Sequence, residues 1–278
     1  MKRIIPGILL AAFWLLILLY GCVSLFNVVV AAAAAIAADE YVRMTIPRGE
    51  ESRRFALFQR LFYDLLLCSP VLAAMIWPLP KSLLAAALLS FLLLSCEQII
   101  HFGRKSPKDS FLCFTRIFFG IFYVGILSAH LCLTRNLPEG NIWILLATAV
   151  TAGSDTGAYF CGKQFGRHTL CQAVSPKKTI EGAIGGVLSA IAAILIFGFW
   201  LLETPDVLFL SGLAIILSLL GILGDLTESI IKRGTGIKDS GVILGGHGGV
   251  LDRVDSLLFA VPALYWFLIC FTDSPVIP

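Results

Sequence analysis

The chain has 278 residues, 58% hydrophobic and 14% charged, with a mean hydropathy of +0.90. Soluble domains run at about 45–50% apolar and about 25% charged, so this composition excludes a soluble globular domain and points to a multi-pass membrane protein, with no nucleic-acid partner expected. The net charge of +3 is informative only through where the charges sit.

A helix spans a bilayer with about 20 mostly apolar residues, within a range of about 17–25. Taken in chain order, the runs that qualify are 4–20, 22–38, 61–78, 82–100, 111–133, 141–161, 182–202, 207–231 and 251–271. The expected fold is therefore all-α: a polytopic membrane bundle of about nine spans forming one integrated domain over 1–278. The apolar stretch after Lys2-Arg3 is far longer than the ~7–15 residues of a signal-peptide core, so it reads as two short spans. Segment 39–60 is the most polar connection and is expected to lie along the membrane surface. The eight cysteines fall mostly in apolar runs without metal-ligand spacing, which argues for small packing residues.

With the N-terminus in the cytoplasm, seventeen of the 21 Lys and Arg residues fall on the inner side and only Lys81 and Arg135 on the outer. Arg116 and Arg253 lie within spans. This asymmetry follows the positive-inside rule and fits an odd number of spans, with the C-terminus outside.

Carboxylates at membrane depth cost about 2.5–3.5 kcal/mol on insertion scales, so they normally face a cavity or a partner. The candidates are Asp155 in "SDTGAYFCGKQFG", Asp225 and Glu228 in "GDLTESIIKR", and Asp252 and Asp255 in "LDRVD". All lie toward the inner ends of their spans. Asp225, Glu228, Ser229 and Lys232 follow i, i+3, i+4, i+7, one stripe of a helix; Asp252, Asp255 and Ser256 form a second. Two acidic stripes meeting at one depth repel unless a cation lies between them. Magnesium (Mg2+), which takes oxygen ligands and substrate phosphates, suits that position. The alternative is that the acids snorkel to water or pair with Lys232 and Arg253.

Three connecting segments add phosphate-binding chemistry. "GGHGG" at 245–249 brings backbone donors to a helix N-terminus, where phosphate is favoured. "KRGTGIKDSG" at 232–241 supplies Lys232, Arg233 and Lys238. "SPKKTIEG" at 175–182 supplies Lys177 and Lys178, with Thr179 placed to cap the next helix. His247 is suited to bind a phosphate oxygen, to shuttle a proton, or to cap its own loop. Together these suggest a metal–polyphosphate site at the membrane surface. No Walker A, GxGxxG or HExxH pattern is present.

The 27 residues "SIIKRGTGIKDSGVILGGHGGVLDRVD", 229–255, resemble the signature of the phosphatidate cytidylyltransferases, the CDP-diacylglycerol synthases. The resemblance covers the chain well from residue 141 onward and only in hydropathy and span layout over 1–140. It implies a homodimeric inner-membrane enzyme that transfers CMP from CTP to phosphatidate at its cytoplasmic face, with Mg2+ and a helper K+. Asp225 and Asp252 match the metal ligands. The catalytic set implied is Asp225, Lys232, Arg233, Lys238, Asp239, His247, Asp252, Arg253 and Asp255. Substrate contacts would come from Asp155, Lys177, Lys178, Thr179, Glu228, Ser229, Gly248 and Gly249. The competing readings are a CTP-dependent kinase of a polyprenol-type lipid and an ion-coupled transporter.

Overall fold

The computed structural model describes residues 4–46, 53–102, 106–241 and 248–271. They form helices α1 (Ile4–Tyr20), α2 (Val23–Thr45), α3 (Arg53–Ile76), α4 (Pro80–Ile100), α5 (Pro107–Gly120), α6 (Leu127–Arg135), α7 (Gly140–Phe165), α8 (Ile180–Leu201), α9 (Val207–Gly234) and α10 (Leu251–Phe271). A π-helical turn, Ile121–Ile126, joins α5 to α6. The all-α membrane bundle is thus the observed architecture. Seven helical segments among the described residues are long and apolar enough to cross a membrane, counting Pro107–Arg135 as one. α1, at 17 residues, and α7 are not among them; α7 carries Thr148, Thr151, Ser154, Asp155 and Thr156 along its length.

Local chemistry explains most boundaries. Ser106 caps α5 by accepting from the Asp109 amide at 3.1 Å, with Pro107 at the first helical position. Asp206 caps α9 through the amides of Leu208 and Phe209 at 2.8 and 3.0 Å. Thr179 caps α8, as its position suggested, accepting from Gly182 N at 3.1 Å. Such caps satisfy amides that have no partner within the helix. Between α7 and α8 the expected loop is an antiparallel hairpin, β1 (Thr169–Cys171) with β2 (Ser175–Thr179), pairing Thr169 with Thr179 and Cys171 with Ser175.

Two expectations change. α2 runs on to Thr45, past the predicted end at 38, and α3 begins at Arg53. The described parts of 39–60 are therefore helix, pinned by Asp39, which pairs with Arg43 at 2.9 Å and also with Arg60. Only Cys113 and Cys132 of the eight cysteines are fully buried; Cys22, Cys96 and Cys270 are exposed.

The π-helical turn faces a second irregularity. Pro70 inside α3 cannot donate to the carbonyl of Leu66. The hydroxyls of Ser69 and Ser90 donate to that carbonyl instead, at 2.9 and 3.4 Å. The Pro70 ring fills the space beside Gly125, 2.9 Å from where a Cβ would stand.

Three apolar clusters form the interior, and α10 enters all of them. Leu251 and Leu258 join Tyr41, Tyr63 and Tyr123. Val261 and Tyr265 join Phe26, Val71 and Cys132. Ala260, Leu264 and Leu268 join Val150, Ile194 and Leu213. The last described helix thereby ties the first half of the chain to the second. α7 and α8 instead meet through small residues, as membrane helices do where backbones must approach: Ser154, Gly157, Ala158 and Cys161 against Gly182, Gly185, Gly186 and Ser189. A Cβ on Gly157 would lie 2.7 Å from the Gly185 carbonyl oxygen. Gly157→Ala is expected to force the two helices apart and cost about 1–3 kcal/mol, measured as a lower unfolding temperature in detergent.

Candidate active site

α9 and α10 approach closely because α9 presents glycine at the crossing. A Cβ on Gly221 would be 3.5 Å from Ser256 Cβ, and one on Gly224 would overlap the Asp255 carbonyl group. This brings the two acidic stripes read from the sequence face to face.

Lys232 joins them. Its Nζ donates to Glu228 Oε2 and to Asp252 Oδ1, each at 2.7 Å. The group is enclosed: the side chains are 13% exposed for Lys232, 11% for Asp252 and 0% for Glu228. Glu228 Oε1 is buried with no hydrogen-bond partner among the described residues. Lys232 thus places one positive charge between the two stripes.

A second group opens more to solvent. Lys178, carried on β2, pairs with Asp225, and both are about one-third exposed or less. Asp155 on α7 feels the charges of Asp225 and Lys178. Asp255 feels Asp225, Asp155 and Lys232 and accepts from Ser256 N at 2.7 Å. The hairpin missed by the sequence reading is thus what delivers Lys178 to α9.

Asp252 is committed further. Its Oδ2 accepts from Gly249 N at 2.8 Å and Ser240 N at 3.0 Å. Gly248, at φ +79°, has the left-handed backbone that favours glycine, and a Cβ there would overlap the Asp252 carboxylate. The amides of Val250 and Leu251 are held by Glu40 of α2, at 3.0 and 2.9 Å. The amides at Gly249 and the start of α10 thus meet two carboxylates of the chain itself.

The remaining site residues are more peripheral. Arg233 is exposed and donates to the Ile237 carbonyl at 3.3 Å. Lys238, Asp239, Lys177 and Arg253 are exposed. Thr179 is engaged as a helix cap. Ser229 is partly buried on α9. His247, with Gly245 and Gly246, lies outside the described residues.

Two residues near the site come from the first half and were missed. Glu40 is 2% exposed; an acid ending a long apolar run is the same signal that picked out Asp155, but the segment was read as surface. Tyr123, in the π-helical turn, is 1% exposed, and its hydroxyl has no hydrogen-bond partner among the described residues. It lies within the electrostatic reach of Glu228, Asp255 and Asp225. Nothing in "IFYVGI" separates that tyrosine from its apolar neighbours.

The donor chemistry suits a hard divalent cation. The carboxylates of Asp155, Asp225, Glu228, Asp252 and Asp255 outnumber the two ammonium groups among them, and all offer oxygen. Among the described residues no three His, Cys, Asp or Glu side chains are already arranged as a coordination set, since Asp225 and Asp252 turn toward different lysines.

A family model described as the cytidylyltransferase family matches residues 1–271. The chain is 43% identical to a phosphatidate cytidylyltransferase of Staphylococcus aureus (strain COL) over 189 residues, 68% of this chain and 69% of the relative. It is 42% identical over 189 residues to that of Staphylococcus haemolyticus, with the same two shares, 68% and 69%. To that of Staphylococcus epidermidis it is 41% identical over 181 residues, 65% of this chain and 67% of the relative.

Removing one partner from a buried ion pair strands the other charge, at about 3–5 kcal/mol. Lys232→Met is expected to destabilise the protein by that order, seen as a large fall in unfolding temperature. Tyr123→Phe removes a hydroxyl that makes no hydrogen bond, so the unfolding temperature should stay the same or rise.

Proposed function

The chain belongs to the cytidylyltransferase family, and on that premise we propose that it transfers the cytidylyl group of CTP to phosphatidate at a membrane surface. A phosphate oxygen of the lipid attacks the α-phosphorus of CTP. The bond from that phosphorus to the β-phosphate bridging oxygen breaks, and pyrophosphate leaves with CDP-diacylglycerol as the other product. The lipid phosphate is already anionic, so no strong base is required. The difficulty is electrostatic, because one anion must reach another.

The observation that carries this reading is the gathering of Lys178 and Lys232 among five carboxylates on α7, α9 and α10 at one end of an apolar bundle. Lys178, the more exposed, is suited to receive the phosphates of a nucleotide arriving from water. Arg233, Lys238 and Arg253 lie exposed nearby in sequence and would neutralise the lipid phosphate and the departing pyrophosphate. Lys177 would add to nucleotide binding, and His247 with Gly248 would contact phosphate. Asp225 and Asp252 would hold Mg2+, which when bound supplies Lewis-acid stabilisation of charge developing on phosphate oxygens. Asp155, Glu228 and Asp255 would support them from behind. Ser229 and Asp239 complete the signature set, and Thr179 would act by fixing the first turn of α8 beside Lys178. A K+ ion and a homodimeric assembly belong to the same reading, as does an active site on the cytoplasmic side of a bacterial inner membrane. The diacyl tails would remain in the bilayer while the headgroup meets CTP at its edge.

Incubation with phosphatidate and CTP labelled on the α-phosphate should yield a labelled lipid after extraction. Label entering the lipid only from the γ-phosphate would mean a lipid kinase and overturn the reading. Asp252→Asn should lower kcat/KM by about 10²-fold or more, and wild-type pyrophosphate release from that variant would remove Asp252 from the metal set.

A further inference from the structure

Glu40 sits deep in the protein, 2% exposed, on a helix 210 residues away from the backbone it binds. A buried carboxylate is costly unless several donors satisfy it. Glu40 has three: Val250 N to Oε1 at 3.0 Å, Leu251 N to Oε2 at 2.9 Å, and Ser240 Oγ to Oε2 at 3.4 Å. The surroundings are shaped to it. A Cβ on Gly241 would stand 2.8 Å from Glu40 Cδ, and one on Gly249 would stand 2.6 Å from it. Both positions are glycine.

The same backbone serves Asp252. Ser240 donates its hydroxyl to Glu40 and its amide to Asp252, and the amides of 249, 250 and 251 are divided between the two acids. Glu40 therefore grips the first turn of α10 from outside, while Asp252 grips it from within and extends its other oxygen to Lys232. Negative charge at a helix N-terminus is favourable in both cases.

We infer that Glu40 is a positioning residue for Asp252: it holds the start of α10 so that Asp252 meets α9. Its catalytic consequence rests on the cytidylyl-transfer reading above. Glu40 touches no reacting atom in this scheme. Without it, a smaller fraction of molecules has Asp252 placed, and the apparent affinity for nucleotide falls by that fraction while the placed molecules turn over normally.

The test uses the full chain in detergent or nanodiscs. Glu40→Gln keeps the size but puts an amide N–H group against backbone donors. Hydrogen exchange at residues 249–252 should speed up while protection of the other helices is retained. KM for CTP should rise about tenfold with kcat within about threefold, the pattern of a reduced competent population. Ser240→Ala, which removes the longest of the three hydrogen bonds, should move both readouts in the same direction by less. Unchanged exchange at 249–252 overturns the inference, as does faster exchange with unchanged KM. A parallel fall of kcat and folded fraction with no KM change also overturns it, because that marks a purely structural residue. If Glu40→Gln does not fold, Ser240→Ala decides by the same criteria. The exchange measurement needs no substrate, so a wild-type protein that labels no lipid would sink the reaction proposed above and leave the anchoring of α10 judged by exchange alone.

Discussion

The ammonium of Lys232, 2.7 Å from both Glu228 and Asp252, is the contact on which the polar end of the bundle depends. A fully buried carboxylate such as Glu228 costs several kcal/mol to desolvate, and the nearest compensation is this one cation. Because the cation comes from α9 and one of its acids from α10, the two helices must cross at close range. Glycines 221 and 224 permit the crossing. Charge, packing and backbone composition on α9 are thus parts of a single requirement.

From that crossing the rest of the site is organised in layers of accessibility. Glu228, Lys232 and Asp252 are nearly dry, while Lys178 and Asp225 remain open to water. A gradient of this kind suits a reaction between a soluble nucleotide and a headgroup anchored in lipid. The open lysine can exchange its carboxylate partner for phosphate at little desolvation cost. Breaking the enclosed pair would cost more, because Glu228 beside Lys232 is fully buried. Carboxylates in excess over ammonium groups leave the site short of positive charge, which favours an added cation.

Much of this was legible in the sequence because it is local. The stripe of Asp225, Glu228, Ser229 and Lys232 follows helical spacing, and α9 confirms its helix. Thr179 stands one residue before α8 and caps it. The seven long apolar helices follow from composition. What was missed is non-local. Glu40 has its partners on a helix 200 residues further on, and no periodicity reports such a contact. The hairpin at 169–179 lacks the alternating β-branched pattern that would have marked it, and it delivers Lys178 only because of where α7 and α8 diverge. The π-helical turn at 121–126 packs its Gly125 against Pro70 of α3, a contact no local pattern reports. The Gly249 amide meets Asp252 three residues on, while its neighbours at 250 and 251 meet an acceptor from a distant helix.

The pairing of Glu40 with the start of α10 also constrains how the protein is made. Ribosomes add about 5–20 residues per second, so Glu40 enters the membrane roughly 10–40 s before Val250 and Leu251 exist to receive it. Throughout that interval its carboxylate must rest in water at the membrane edge or on a transient partner. The polar end of the bundle therefore completes only once α10 has been made, and a nascent chain arrested before that helix lacks Lys232's partner on α10 as well. Assembly of this polar cluster is thus coupled to synthesis of α10 rather than to that of the helices before it.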